Sequence, residues 1–319
     1  MNVLKQLGRR WYAALAVTAA AAVLAACGGS GPGSVPLRGA ATSGAAAARP
    51  AAPSRRFTKS WIDPSAVPKK LLYVSDYLGG DVAIYTYPEM TFAGEIVGFA
   101  LPYGVCTDRA GDVWVADYKG FAVYEFAHGG TVPVNVLTTD IDGASGCAID
   151  PKTGNLAVTN SAGWVDVFPN AAGTPAVYAL QPGQIPFYVT YDNHSDLFVD
   201  GDSQTIPFFL AELSAGASSF TPIVLDQPPA NAGDLQWDGK NVVVGDISGI
   251  LYVTQGATVV GTIALSHQQG MAGFYIAPSH KKILETSTGA VNVYTYPSAT
   301  YLKNVSGGLE QPAGVVISP

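Results

Sequence analysis

The sequence predicts an all-β fold, a six-bladed β-propeller of four-stranded antiparallel blades spanning residues 61–319. Three observations carry the prediction. A unit of about 42 residues recurs from Leu71 onward. Each unit holds four short runs of strand character divided by Gly, Pro, Asn or Asp. The last run, Val315 to Ser318, is a first strand with no second strand behind it.

Each unit opens on a short apolar strand that usually ends in Asp: Val105-Cys106-Thr107-Asp108, Cys147-Ala148-Ile149-Asp150, Val189-Thr190-Tyr191-Asp192 and Leu235-Gln236-Trp237-Asp238. The copies Phe274 to Ala277 and Val315 to Ser318 keep the apolar pattern and lose the acid. A tight turn follows, as in Arg109-Ala110-Gly111 and Lys152-Thr153-Gly154, where Gly supplies the positive φ of a hairpin. Second strands run Leu72 to Asp76, Val113 to Asp117, Leu156 to Asn160, Leu197 to Val199, Val242 to Asp246 and Ile283 to Thr286. Third strands alternate bulky residues, and Val82 to Pro88 is nearly repeated at Val291 to Pro297. A fourth, less regular strand and a Gly- or Pro-bearing bend close the unit. Since the chain enters on a second strand and leaves on a first, the C-terminal strand is expected to complete the first blade, closing the ring and leaving no open sheet edge there.

Charge divides the chain in two. All 24 acidic residues lie after position 60 with nine Lys and Arg, so residues 61–319 carry −15 and residues 1–60 carry +8. A body this acidic excludes nucleic acid as a partner, because that affinity comes from Lys and Arg neutralising phosphates. With 48% hydrophobic and 13% charged residues the chain is not disordered, and three cysteines do not make a disulfide-dense scaffold.

The basic end reads as an export signal. Lys5, Arg9 and Arg10 precede an uncharged run of 16 residues, Trp11 to Ala26, which is short for a bilayer span. The run ends in Leu24-Ala25-Ala26-Cys27, which resembles the lipobox of bacterial lipoproteins. The resemblance implies a signal peptide over residues 1–26, cleavage before Cys27, acylation of the Cys27 thiol with palmitate-type chains and acylation of the new amino terminus. Gly28 follows where inner-membrane retention uses Asp, which implies the outer membrane in a Gram-negative cell and the cell membrane otherwise. Residues 27–60, rich in Ala, Gly, Pro and Ser and free of acids, read as a flexible tether with a reach on the order of 30 Å. Its basic residues Arg38, Arg49, Arg55, Arg56 and Lys59 could touch anionic headgroups, touch the acidic body, or simply be solvated.

The recurring pattern Pro/small-x-Gly, apolar strand, Asp, turn Gly, Leu-x-Val-x-Asp, Val-x-Val-Tyr resembles the NHL-repeat propellers and their relatives, the streptogramin lyases and gluconolactonase-like hydrolases. For the hydrolases the resemblance implies one divalent metal on the axis held by Glu, Asn and Asp. Here the matching inward positions are Tyr103, Ser145, Phe187, Ala232, Ala272 and Ala313, none a carboxylate or imidazole, so no metal or other cofactor is expected. The lyases imply a His base. His128, His194 and His280 fall in turns away from the bends, and His267, the one histidine able to face that side, has no acid near it in sequence and reads as a surface loop residue. Asp140-x-Asp142-Gly143 suggests a calcium loop, but Pro151 stands where the bidentate Glu belongs.

Three sets of residues carry open alternatives. Asp76, Asp117, Asp202 and Asp246 follow second strands on the side of the bends, where they either form a negative ring for a cation or basic partner or accept backbone N–H groups in the turns. Cys106 and Cys147 occupy positions of opposite parity on neighbouring first strands and point either together, as an inter-blade disulfide, or apart, as two small buried hydrophobes. Tyr103, Phe187 and Tyr188 lie at bends framing the axis, as the wall of a binding mouth or as a packed plug, while Tyr85, Tyr87, Tyr124, Tyr294 and Tyr296 suit packing between blades. The expectation is a monomeric, lipid-anchored envelope protein acting as a non-enzymatic binding or scaffolding propeller, with a protein, peptide or small molecule at the axial mouth. The alternative is a propeller hydrolase or lyase with a divalent metal, its groups hidden in blade four, where Asp200-Gly201-Asp202 departs from the repeat.

Overall fold

The computed structural model describes Phe57, residues 59–138, 141–267 and 270–319. The signal peptide, Cys27, most of the tether and Asp140 lie outside these residues. Among the described residues no helix is long and apolar enough to cross a membrane.

The fold is all-β: six antiparallel sheets in a ring, a six-bladed propeller. Blade 1 runs outward from the axis as Pro312–Ser318, Leu71–Asp76, Asp81–Thr86 and Phe92–Val97, so the C-terminal strand is its innermost member and closes the ring. The innermost strands of blades 2 to 6 are Pro102–Thr107, Ala144–Ile149, Gln184–Tyr191, Leu235–Trp237 and Gly273–Ile276, and these six strands touch one another in sequence around the axis.

One element departs from expectation. The tether expected to reach residue 60 gives way to packed chain at Phe57, which is 3% exposed and meets Phe99, Tyr124 and Phe126 edge-on. Trp61–Ile62 then pairs with Phe92–Val97 as a fifth strand on blade 1. A large aromatic in an otherwise small-residue stretch was the available signal, because its burial outweighs the entropy of ordering its neighbours.

Strand alternation explains the core. In Leu71–Asp76, Leu71 and Tyr73 pack toward blade 2 against Val113, Val115 and Phe126, while Leu72 and Val74 pack toward blade 6 against Leu284, Val291 and Val293. Every residue of that strand is therefore buried. Tyr85, Tyr124 and Tyr294 join these inter-blade layers, in line with their third-strand spacing.

Two repeated polar devices set the axis. In four blades the innermost strand carries Gly where a Cβ would fall 2.4–2.6 Å from the next blade's carbonyl: Gly104 on Ser145, Gly146 on Phe187, Gly273 on Ala313 and Gly314 on Tyr103. Three of these close approaches are pinned by a hydroxyl on the adjoining second strand. Thr159 Oγ1 accepts the Gly146 N–H at 2.6 Å and donates to the Phe187 carbonyl at 3.0 Å. Thr286 Oγ1 does the same with Gly273 N–H at 2.7 Å and the Ala313 carbonyl at 2.9 Å. Ser75 Oγ accepts Gly314 N–H at 2.8 Å and donates to the Tyr103 carbonyl.

The rim opposite the bends is tied at His128. Its Nε2 donates to the Val67 carbonyl at 2.9 Å and its Nδ1 meets Ser318 Oγ at 2.5 Å, so blade 2 holds both the entering and the leaving chain.

Candidate functional site: the axial mouth

The departures from the glycine rule lie side by side. Where other blades place Gly, blade 4 has Tyr188 and blade 5 has Asp234; where other second strands place Ser, Thr, Ala or Gly, blade 4 has Asp200. Tyr188 is 7% exposed, donates its hydroxyl to the Ala272 carbonyl of blade 6, and lies 3.3 Å from the Tyr103 hydroxyl of blade 2. Two phenols thus meet across the axis, and Tyr188 closes it as a plug. Tyr103 remains half-buried above, edge-on to Tyr77 at 5.7 Å, with Tyr118 and Phe187 half-buried beside it. The result is an aromatic half-ring built by blades 1, 2 and 4.

Below it sit two carboxyls that repeat reading did not single out as a pair. Asp200 takes the staple position of Thr159 and Thr286, and its Oδ1 accepts the Tyr188 N–H at 3.3 Å. Unlike those hydroxyls, Asp200 reaches no carbonyl of the next blade, and its Oδ2 is buried without a partner. Burial, reinforced by the neighbouring charge of Asp234, pushes the Asp200 carboxyl well above the ordinary range. Asp234 accepts Leu235 N–H at 2.7 Å and Phe274 N–H at 3.0 Å, yet burial still raises it to about 7. Tyr188 and Tyr103 are likewise pushed upward by burial and stay phenols. The signal was legible: a non-glycine at a glycine position of the repeat.

This set does not suit a resident divalent metal on the axis. Both Asp234 oxygens hold backbone N–H groups, Asp200 offers one unpartnered oxygen, and an oxygen-ligated cation needs six or more donors.

The remaining site expectations resolve as follows. Asp76, Asp117 and Asp246 do not form a negative ring; each is buried and clamps the bend entering its own blade. Asp76 accepts from Glu310 at 2.5 Å and Gln311 at 2.9 Å, Asp117 from Ala100 at 2.9 Å and Leu101 at 2.7 Å, and Asp246 from Ala230 at 2.7 Å and Asn231 at 3.2 Å. Asp202 escapes this use because Gly201 holds the clamp position; it is half-buried at the strand end, and burial raises it to about 6. His267 does not face the axis. It stacks on Tyr301 of the outermost strand of blade 6 at 4.0 Å between ring centres. Cys106 and Cys147 are joined as a disulfide with Cα atoms 5.8 Å apart, linking blades 2 and 3.

No family model matches the chain, and no curated protein matches it. Among solved structures the chain is similar to one described as the crystal structure of a nidogen/laminin complex, with a TM-score of 0.67 at 13% identity over 78% of this chain and 98% of that one. At that identity the likeness shows the propeller fold and nothing finer.

Proposed function

We propose that this is an exported protein, lipid-anchored through Cys27, whose propeller binds a ligand at the axial mouth without transforming it. The observation that carries the reading is the half-ring of Tyr77, Tyr103, Tyr118 and Phe187, left half-exposed over a floor closed by Tyr188. Aromatic walls around a few fixed polar groups favour a flat or apolar moiety of a small molecule or peptide. Two acyl chains on Cys27 anchor the protein stably where one would be marginal, at about 0.8 kcal/mol per CH₂. The tether then holds the mouth clear of the lipid.

Labelled palmitate should mark the wild type and not Cys27→Ala; label retained in the variant overturns the anchor. For the mouth, protein purified from native envelopes is denatured and its released small molecules and peptides are compared by mass spectrometry with those from Tyr77→Ala and Tyr118→Ala. A species enriched in the wild type and lost in both supports the reading, and identical profiles overturn it.

A second reading, a propeller hydrolase or lyase, is favoured by one observation: Asp200 and Asp234 are buried carboxyls next to two phenols, both pushed upward by burial, Asp234 to about 7. A catalytic role requires that ligand recovered from the mouth be chemically altered on incubation, and that Asp234→Asn prevent the change.

A further inference from the structure

The two faces of the ring differ in what their turns display. Turns between second and third strands lie on the side of the mouth: residues 77–80, 118–121, 161–163, 204–208, 246–249 and 288–289. Their charged residues are Lys119 and the buried clamp Asp246. The five turns between first and second strands, residues 108–112, 150–155, 192–196, 238–241 and 277–281, lie on the opposite face and hold ten Asp, Lys and Arg. The mouth side instead exposes apolar side chains at three turns, Leu78 at 59%, Phe121 at 52% and Ile206 at 49%, on the blades 1, 2 and 4 that build the aromatic half-ring. Phe121 holds φ at +51°, a left-handed conformation that Gly takes freely and a residue with a Cβ does not, so a large apolar group is carried there against the local backbone preference.

A second observation is where the chain joins the ring. Ser60 Oγ accepts the N–H of Val97, the mouth-side end of its strand, at 3.0 Å, and Trp61–Ile62 then runs antiparallel to Phe92–Val97, away from the mouth. Phe57 meets Phe99, which stands in the bend leading into blade 2. Everything N-terminal, Cys27 included, is therefore attached at the mouth-side edge. We propose that the mouth face is a membrane-docking face, which seats Leu78, Phe121 and Ile206 in the headgroup layer of the bilayer that holds the lipid anchor. The inference rests on the acylation of Cys27. A tether with a reach on the order of 30 Å lets this face down onto the lipid as well as holding it clear, and attachment at that edge raises its local concentration at the surface. Half-exposed Tyr77 and Tyr118 beside the apolar turns suit the same layer, where the ring lies in lipid and the hydroxyl in water. The bends carry exposed acids, Asp142 and Glu310 among them; Arg55, Arg56 and the exposed Lys59 supply the opposite sign where the tether joins, and attract anionic headgroups. Seating the opposite face would instead strip water from its charged turns.

The test uses the full-length protein, lipidated in cells and reconstituted into vesicles of phosphatidylethanolamine and phosphatidylglycerol. A nitroxide is attached through Ala162→Cys, in the mouth-side turn of blade 3, and in a separate protein through Lys152→Cys, on the opposite face; both positions are exposed, and Cys106 and Cys147 are occupied by their disulfide. The mouth-side label should collide with membrane-dissolved oxygen in preference to an aqueous nickel chelate, and the label on the opposite face should show the reverse. Adding Leu78→Ser, Phe121→Ser and Ile206→Ser should abolish the oxygen preference of the mouth-side label while flotation with the vesicles and the melting temperature stay as in the wild type, since the anchor is intact and the three side chains are exposed. Protein that floats with both labels in water overturns the docking alone, as does a mouth-side preference that the serine variant retains. Protein that does not float through Cys27 overturns the anchor and the docking with it. Dipolar broadening between mouth-side labels, without oxygen preference, overturns the docking in favour of a face-to-face pair of chains.

Discussion

The carboxylate of Asp76 accepts the backbone N–H of Gln311 at 2.9 Å, across 235 residues of sequence. With Glu310 N–H on its other oxygen, this one side chain ties Leu71–Asp76 to the bend that feeds the last strand of the chain. Replacing it strands buried N–H groups, each costing about 1–3 kcal/mol. Asp76→Ala should lower Tm by several degrees and Asp117→Ala should do likewise, while Asp202→Ala, which holds no bend, should leave Tm within about a degree. Equal losses from all three, read by calorimetry, would contradict the clamp assignment.

Closure by the C-terminal strand predicts that the ring fails as a whole. All seven residues of Pro312–Ser318 are buried, and they complete blade 1. Removing residues 313–319 opens two blade interfaces and removes the Ser318 contact of His128. The truncated protein should unfold broadly at much lower temperature; an unchanged, sharp transition would argue against closure.

The disulfide joins strands 41 residues apart and restrains the unfolded chain. Loops of that size are worth roughly 2–4 kcal/mol. Reductant, or the pair Cys106→Ser and Cys147→Ser, should shift the denaturant midpoint down by a corresponding amount, and alkylation without reductant should leave both sulfurs unmodified. Modification of both sulfurs by alkylation without reductant would show that no bond forms.

Glu285 takes a Val position of the repeat inside blade 6, and burial lifts its carboxyl from 4.5 to about 7, opposed by the Asn292 amide. Its proton is held more tightly in the folded state than in the unfolded one. The folded state therefore binds more protons between those two values, and stability falls as pH rises through that window and then levels. Asp234 and Asp81, both raised to about 7, act with the same sign. Tm should decline from pH 5 to pH 8, and Glu285→Gln should melt higher than the wild type at pH 8 and equally at pH 4.5. Parallel profiles for the two proteins would exclude Glu285 as a source of the slope.

How much of the molecule could be read in advance follows from where each feature is encoded. Strands such as Val113–Asp117 and the turns around Gly111 and Gly154 depend on neighbours two to four residues away, so their pattern is visible in the chain itself. Asp200 and Asp234 were visible only as irregularities, because their meaning lies in which residue of one blade faces a residue about forty positions later in the next. His267 meets the same limit: the sequence puts it in a surface loop, and only its stacking on Tyr301 places it at the outermost strand of blade 6.

By itself the sequence determined the repeat, the six blades, the closing strand and the charge division, since periodicity and turn chemistry are local and additive. The tertiary structure decided that three acids are clamps, that the two inner cysteines meet, and that two carboxyls and two phenols share the axis. Those outcomes depend on the lateral fit of neighbouring strands, where a side chain either has room, as Asp234 does, or is forbidden by a carbonyl 2.4 Å away, as at Gly104.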